Sequence, residues 1–284
     1  MGLSGIAIVF VAIIGGFAMA GGHFGVLIQP SEFIVILGAA IGTLITSSPG
    51  LMKKRVMSAI KTAIKEGTPT KKDYQDLLVC AYELFMLARR QGVLALEPHV
   101  TDPAKSDLFK KYPAIAKHHH ARLFLAEALQ QLVNGVSPDD LDEMLDAELD
   151  TLKAEGHLAT GLIKTVGDSL PGIGIVAAVL GIIVTMGHMD ASPAVIGHHV
   201  AAALVGTFLG ILLCYGVLQP LANNAETQET HQLRYLSVIK ASVMASARGV
   251  APATAVEFGR KQIFSDERPT FVELDKALHA IGGS

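Results

Sequence analysis

The sequence predicts an all-α integral membrane protein with four transmembrane helices, a large helical cytoplasmic loop and a helical C-terminal tail. Three observations predict it. The twenty-three lysines and arginines of the 284-residue chain leave two long regions empty, before Lys53 and between Lys164 and Arg234. Those regions hold four apolar runs, each long enough or nearly so to cross a hydrocarbon core of ~30 Å as a helix. Outside them the chain turns polar and carries helix start and stop signals.

Crossing one covers Gly5 to Gly22, crossing two Phe33 to Met52, crossing three Ser169 to Met189, and crossing four roughly Val195 to Ala222. The expected organisation is 1–52 for the first pair, 53–168 for a cytoplasmic helical domain, 169–222 for the second pair and 223–284 for the tail. Cytoplasmic flanks retain Lys and Arg, so Lys53, Lys54, Arg55, Lys164 and Arg234 put the loop, the tail and both termini on the cytoplasmic side. The outer connections, Gly21 to Ser31 and Asp190 to Ala194, are too short to fold. No basic segment precedes the first run, and Ala18-Met19-Ala20 lies deep within it, so the first helix is expected to stay.

In the loop, Val56 to Lys65 reads as a helix stopped by Gly67-Thr68-Pro69. Asp73 to Gln91 places Leu77, Leu78, Ala81, Leu84, Phe85 and Ala88 on one face. Gly92 to Pro98 breaks that run, and Ala121 to Val133 forms another helix. Ser137-Pro138-Asp139-Asp140 combines a capping serine, proline at the first helical position and acids in the first turn. The helix it starts runs to about Lys164 and feeds crossing three. In the tail, Glu226 to Ala247 is helical, Gly249 to Pro252 breaks it, and two short helices precede Ser284.

Composition agrees with a chain that is part membrane and part soluble: half the residues are hydrophobic and mean hydropathy is +0.43. A net charge of -3 gives no basis for nucleic-acid binding. No phosphate loop, no nucleophile beside a base and no paired carboxylates suggest an enzyme, and no cofactor motif appears. Cys80, in the loop, and Cys214, inside crossing four, fall on different sides of the membrane boundary and read as small apolar residues.

The crossings carry no ionisable residue in their interiors. Glu32, Asp168 and Asp190 sit at helix ends near the interfaces, and within the spans only hydroxyls such as Thr43, Thr185 and Thr207 appear. An intramembrane charge persists mainly where it works. If this protein moves ions, another chain therefore supplies the carrier. The spans do contain GxxxG at Gly38 to Gly42 and at Gly206 to Gly210, which lets helices approach closely, whether between subunits or within one four-helix monomer. Pro171 and Pro220, at the cytoplasmic ends of crossings three and four, either create hinges or start and stop helices.

Gly167-Asp168-Ser169-Leu170-Pro171-Gly172-Ile173-Gly174-Ile175-Val176-Ala177-Ala178-Val179-Leu180-Gly181 is the most specific stretch. With Val205-Gly206-Thr207-Phe208-Leu209-Gly210 and Tyr215-Gly216-Val217-Leu218-Gln219-Pro220-Leu221-Ala222, it resembles the MotA family of bacterial flagellar stator A subunits. The resemblance covers the whole chain, with crossings, loop, prolines and tail in the family's order. The ExbB and TolQ energisers of outer-membrane transport, with three crossings in another order, are the alternative.

The resemblance implies a homo-oligomeric ring of A subunits in the bacterial inner membrane. That ring surrounds MotB-type B subunits, whose single span carries the proton-binding aspartate. Crossings three and four would line the ion path, with Ala178, Thr185 and Thr207 along it. Pro171 and Pro220 would couple protonation to movement of the loop. Arg89 and Glu97 match the separation of the family's two charges that meet the rotor switch protein FliG, and Arg90 is an adjacent basic residue. In sodium-driven relatives crossing three carries a threonine where this chain has Ala178, so the implied ion is the proton.

Other charged residues read as surface. The acidic series Asp139, Asp140, Asp142, Glu143, Asp146, Glu148 and Asp150 is expected to be a solvated helix face. His118, His119 and His120 are adjacent, do not share one helix face, and do not make a metal set. His188, His198 and His199 lie near the outer mouth, where interfacial solvation or a gating or proton-relay role accounts for them.

Overall fold

The computed structural model describes residues 2–48, 50, 52–64 and 67–282, and among them every regular element is a helix. In chain order these are α1 (Gly2–Met19), a 3₁₀ turn (Phe24–Leu27), α2 (Pro30–Ser47), α3 (Met52–Ile64) and α4 (Lys71–Gln91). A 3₁₀ turn (Val93–Leu96), α5 (Glu97–Val100), α6 (Asp107–Lys111), α7 (Pro113–Lys117), α8 (His119–Val133) and α9 (Pro138–Met186) follow. The chain ends with α10 (Pro193–Leu213), a π turn (Cys214–Leu218), α11 (Gln219–Ala247), α12 (Pro252–Gln262) and α13 (Phe271–Gly282). Two compact units divide it: residues 1–67 with 155–228, and residues 68–154 with 229–284. The first takes in residues 53–67 and 155–168, which the sequence assigns to the loop.

Among the described residues three helical stretches are long and apolar enough to cross a membrane: Phe24–Ser47, α9, and Pro193–Ala247. A shorter apolar helix, Ser4–Met19, accompanies them. Boundaries differ from the sequence reading where the backbone breaks. The run to Met52 is not one helix: α2 stops at Ser47, and Met52 opens the basic, amphipathic α3. Lys65, expected to end that helix, lies outside the described residues. Val56 and Ala63 of α3 are buried against Ile163 and Ala222 and against Leu221 and Ala225.

The second unit holds one continuous apolar core. Leu77, Leu78, Leu84 and Phe85 of α4 pack with Phe109, Ile115, Phe124, Leu125, Leu129 and Leu141, and with Val238, Ile239, Val243 and Val256. The face expected on α4 is the buried one. Its start moves to Lys71, because Thr70 and Asp73 form a reciprocal capping box: Thr70 N–H donates to the Asp73 carboxylate and Asp73 N–H to the Thr70 hydroxyl. Ser137 caps α9 by accepting from Asp140 N–H at 3.2 Å. That helix then runs 49 residues without a break.

The acidic face of α9 is only partly a solvated surface. Lys240 of α11 bonds Asp142 at 2.6 Å and Asp146 at 2.5 Å, and Arg248 reaches Asp142 at 2.8 Å. The hydrogen bond from Lys240, helped by Arg248, holds the Asp142 carboxyl below its ordinary range. Burial works against the Lys240 charge, but its two carboxylate bonds outweigh that and raise its pKa.

Candidate functional site

Within the first unit α9 and α10 meet backbone to backbone. A Cβ on Gly174 would lie 2.7 Å from Gly206 O, one on Gly210 2.5 Å from Leu170 O, and one on Gly181 2.7 Å from the Ala203 methyl. So the GxxxG at Gly206 to Gly210 serves packing inside the protomer. By contrast, nothing lies within 4 Å of the Cβ positions of Gly38 and Gly42 on α2, which leaves that pair facing outward.

The same seam corrects the expectation that Glu32 sits at an interface and that the bundle interior lacks an ionisable group. Glu32 does belong to the first turn of α2, yet it is only 7 % exposed. Its Oε2 occupies the space above Gly206, together with the Ala177 methyl and the Ala178 amide nitrogen. Oε1 comes 3.6 Å from the Cβ position of Gly181. A methyl on Gly206 would displace the carboxyl, whereas one on Gly181 would only touch it. Oε2 has no hydrogen-bond partner among the described residues. Sequence position within α2 gives no hint of this, because the depth of a helix end depends on where the helix docks.

The expected path residues lie along this seam in different settings. Ala178 is buried, and Thr207, next to Gly206, is half-buried. Thr185 is 2 % exposed, and its hydroxyl donates to Gly181 O at 2.8 Å. Beyond it His188 stacks on His199 with ring centres 5.4 Å apart, and His198 meets His199 edge-on at 6.3 Å. In the second unit His118 packs against the Tyr235 ring at 5.4 Å, which gives that histidine a packing role.

Both prolines lie inside continuous helix, so neither merely starts or stops one. Pro171 is within α9 and deprives Gly167 O of its helical donor. On the facing helix the π turn ends two residues before Pro220, and Gln219 N–H donates to Cys214 O. Two weakened ladders are thus clasped at one level, where the Gln219 amide donates to Asp168 at 2.9 Å and a Cβ on Gly167 would lie 3.3 Å from Leu218 Cβ. One to two turns further on, Lys164 pairs with Glu226 at 2.6 Å. Neither the π turn nor the clasp is visible in sequence, because both depend on how α9 and α11 are rotated against each other.

Arg89 and Arg90 end α4, Gly92 turns the chain with φ +88°, and the 3₁₀ turn delivers Glu97. Leu96 and Val100 are buried and anchor this tip. Arg89, Arg90, Glu97 and the 70 % exposed Leu94 project from it. The three charged side chains form no ion pair among the described residues, which leaves them available to a partner.

Known proteins resemble the chain along nearly its whole length. The description "Motility protein A N-terminal" matches residues 3–92, and "MotA/TolQ/ExbB proton channel family" matches 116–237. Motility protein A of Salmonella typhimurium is 36% identical over 280 residues, covering 98% of this chain and 95% of that protein. The chemotaxis protein LafT of Vibrio parahaemolyticus is 35% identical over 275 residues, covering 96% of each. The flagellar MotAB stator complex of Bacillus subtilis matches with a TM-score of 0.75 at 26% identity, over 90% of this chain and 92% of that one. The MotAB structure of C. jejuni matches with a TM-score of 0.80 at 21% identity, over 95% and 98%. This chain belongs to the motility protein A family.

Proposed function

We propose that the protein is a torque-generating, ion-conducting A subunit of a bacterial flagellar stator. It sits in the inner membrane as an oligomer with a B subunit and turns proton flow into rotor movement. The observation that carries this reading is the pairing of Pro171 in α9 with the π turn and Pro220 beside it, clasped through Asp168 and Gln219. Bends at two adjacent weak points move the helices that continue into the second unit, which is what coupling to a rotor requires. Family membership with MotA relatives along nearly the whole chain favours this over an ExbB or TolQ role.

The remaining parts follow from the same reading. α1 is the fourth crossing, the loop, the tail and both termini are cytoplasmic, and the outward glycines of α2 with the exposed faces of α9 and α10 receive neighbouring subunits. The B subunit's single span brings an intramembrane aspartate to the seam that carries Ala178, Thr185 and Thr207. Arg89, Arg90 and Glu97 touch the rotor protein FliG. The ion is the proton, because Ala178 offers no oxygen for a dehydrated sodium ion. Copurification of the full chain with a single-span, aspartate-bearing B subunit, and proton-driven motility restored by the pair in a stator-deleted cell, test the reading. A strictly monomeric chain in the presence of the partner overturns it. Arrest of swimming on sodium removal, with indifference to a protonophore, overturns the ion.

A further inference from the structure

A buried carboxyl without a partner is costly to ionise, and intramembrane ones persist mainly where they act. Glu32 Oε2 is such an oxygen, buried with no hydrogen-bond partner among the described residues. Beside its carboxyl stand Ala177, Ala178 and Gly181 of α9 and Gly206 of α10, none of them charged or titratable. No lysine or arginine occurs before Lys53 or between Lys164 and Arg234, so neither stretch supplies a permanent cation as a partner. Three positions in the seam have the minimal or nearly minimal side chain where the carboxyl lies, and at Gly206 even a methyl would overlap Oε2. The space is shaped around the carboxyl, although an apolar side chain at position 32 would fill an apolar seam without the cost of burying an acid.

We propose that Glu32 is a proton-exchange site belonging to the A subunit itself, placed in series with the partner's carboxylate. The inference rests on the stator reading and deepens it. The Glu32 carboxylate takes a proton arriving from the extracytoplasmic side and becomes the neutral acid. It then releases that proton toward the level of Thr207, the residue after Gly206, and returns to the carboxylate. A single carboxyl suits a proton, whereas a metal cation needs several ligands, and no cluster of three or more His, Cys, Asp or Glu occurs among the described residues. On the outer side the next titratable group along the chain is His188, two residues past the last residue of α9. His188 is stacked on His199, which gives the route an entry.

The test uses the full chain co-expressed with its B subunit in cells lacking their own stator, with swimming speed followed against external pH. Glu32→Gln keeps the shape and removes the exchangeable proton. The expected result is a loss of speed of at least ~10-fold, in keeping with removal of a proton-transfer group, with the complex still present in the membrane. Glu32→Asp restores part of the speed with a displaced pH profile. Wild-type speed in the glutamine variant at every pH overturns the proposal. So does loss of that variant from the membrane, which makes the carboxyl a packing group. A wild-type chain that supports no proton-driven motility overturns the stator reading instead.

Discussion

The two units treat apolar surface in opposite ways. The second closes around its own core, where Tyr74, Phe85, Phe109, Leu125 and Leu141 are almost fully buried. The first has only small buried clusters and leaves Ile175, Val179, Ile183, Val184, Leu204 and Ile211 exposed. Such a surface suits a molecule that meets lipid or neighbouring subunits there. Lipid tails are as apolar as leucine, so burial of side chains does not drive helix against helix in that solvent, and close glycine contacts carry the packing. One unit is therefore held by side-chain volume and the other by the absence of side chains.

The contrast predicts the largest effect for a deletion in the closed core. Phe85→Ala should cost about 3–5 kcal/mol, read as a lower melting temperature of the purified chain. Ile183→Ala, exposed in the first unit, should change protomer stability by less than ~0.5 kcal/mol. An equal loss in both would show that the exposed face of α9 has a buried role after all. Next in size is Gly210→Val, whose added carbons meet Leu170 O. Overpacking there should cost about 1–3 kcal/mol and lower the amount of protein in the membrane. Gly42→Ala, with open space around it, should leave the protomer unchanged, so a defect in subunit assembly alone would place α2 at a subunit contact.

Acid should weaken the second unit through its lowered carboxyls. The bond from Lys71, with those from Thr270, holds the Glu273 carboxyl down at about 2, and Asp142 and Glu257 are lowered by Lys240 and Arg260 respectively. A folded pKa below the unfolded one contributes stability that is present above the unfolded value and is lost as pH falls through the folded value. Second-unit melting should therefore weaken between about pH 4.5 and 2, and Glu273→Gln should flatten part of that dependence in a pH series of thermal scans. An unchanged series in the variant would show that the pair contributes nothing.

The smallest effects on stability should accompany the largest on function. Leucine at Pro171 or Pro220 restores an amide donor, so assembly should persist while torque is lost. Unchanged swimming in both variants would remove the hinge. Reversing Arg89 and Glu97 together should shift stability by no more than ~0.5 kcal/mol and impair motility at normal membrane levels. Loss of the protein from the membrane would make the tip structural.

The sequence by itself determined whatever depends on neighbours along the chain. Apolar runs and the gaps in Lys and Arg located the long helices, the buried stripe of α4 followed from its period, and Ser137 marked the start of α9 because capping is local. Gly92 marked the break that exposes Arg89 and Glu97 for the same reason. Tertiary structure alone decided the rest of the candidate site. Glu32 reads as an interfacial residue until α2 docks on the α9–α10 seam, and Asp142 reads as solvated until Lys240, far away in sequence, reaches it. The clasp of Asp168 with Gln219 needs the π turn to set the rotation of α11. Periodicity fixes which face a residue shares with its neighbours, but the axial offset and rotation between helices come from close approach at Gly174, Gly181, Gly206 and Gly210, and those contacts join residues that no local pattern relates.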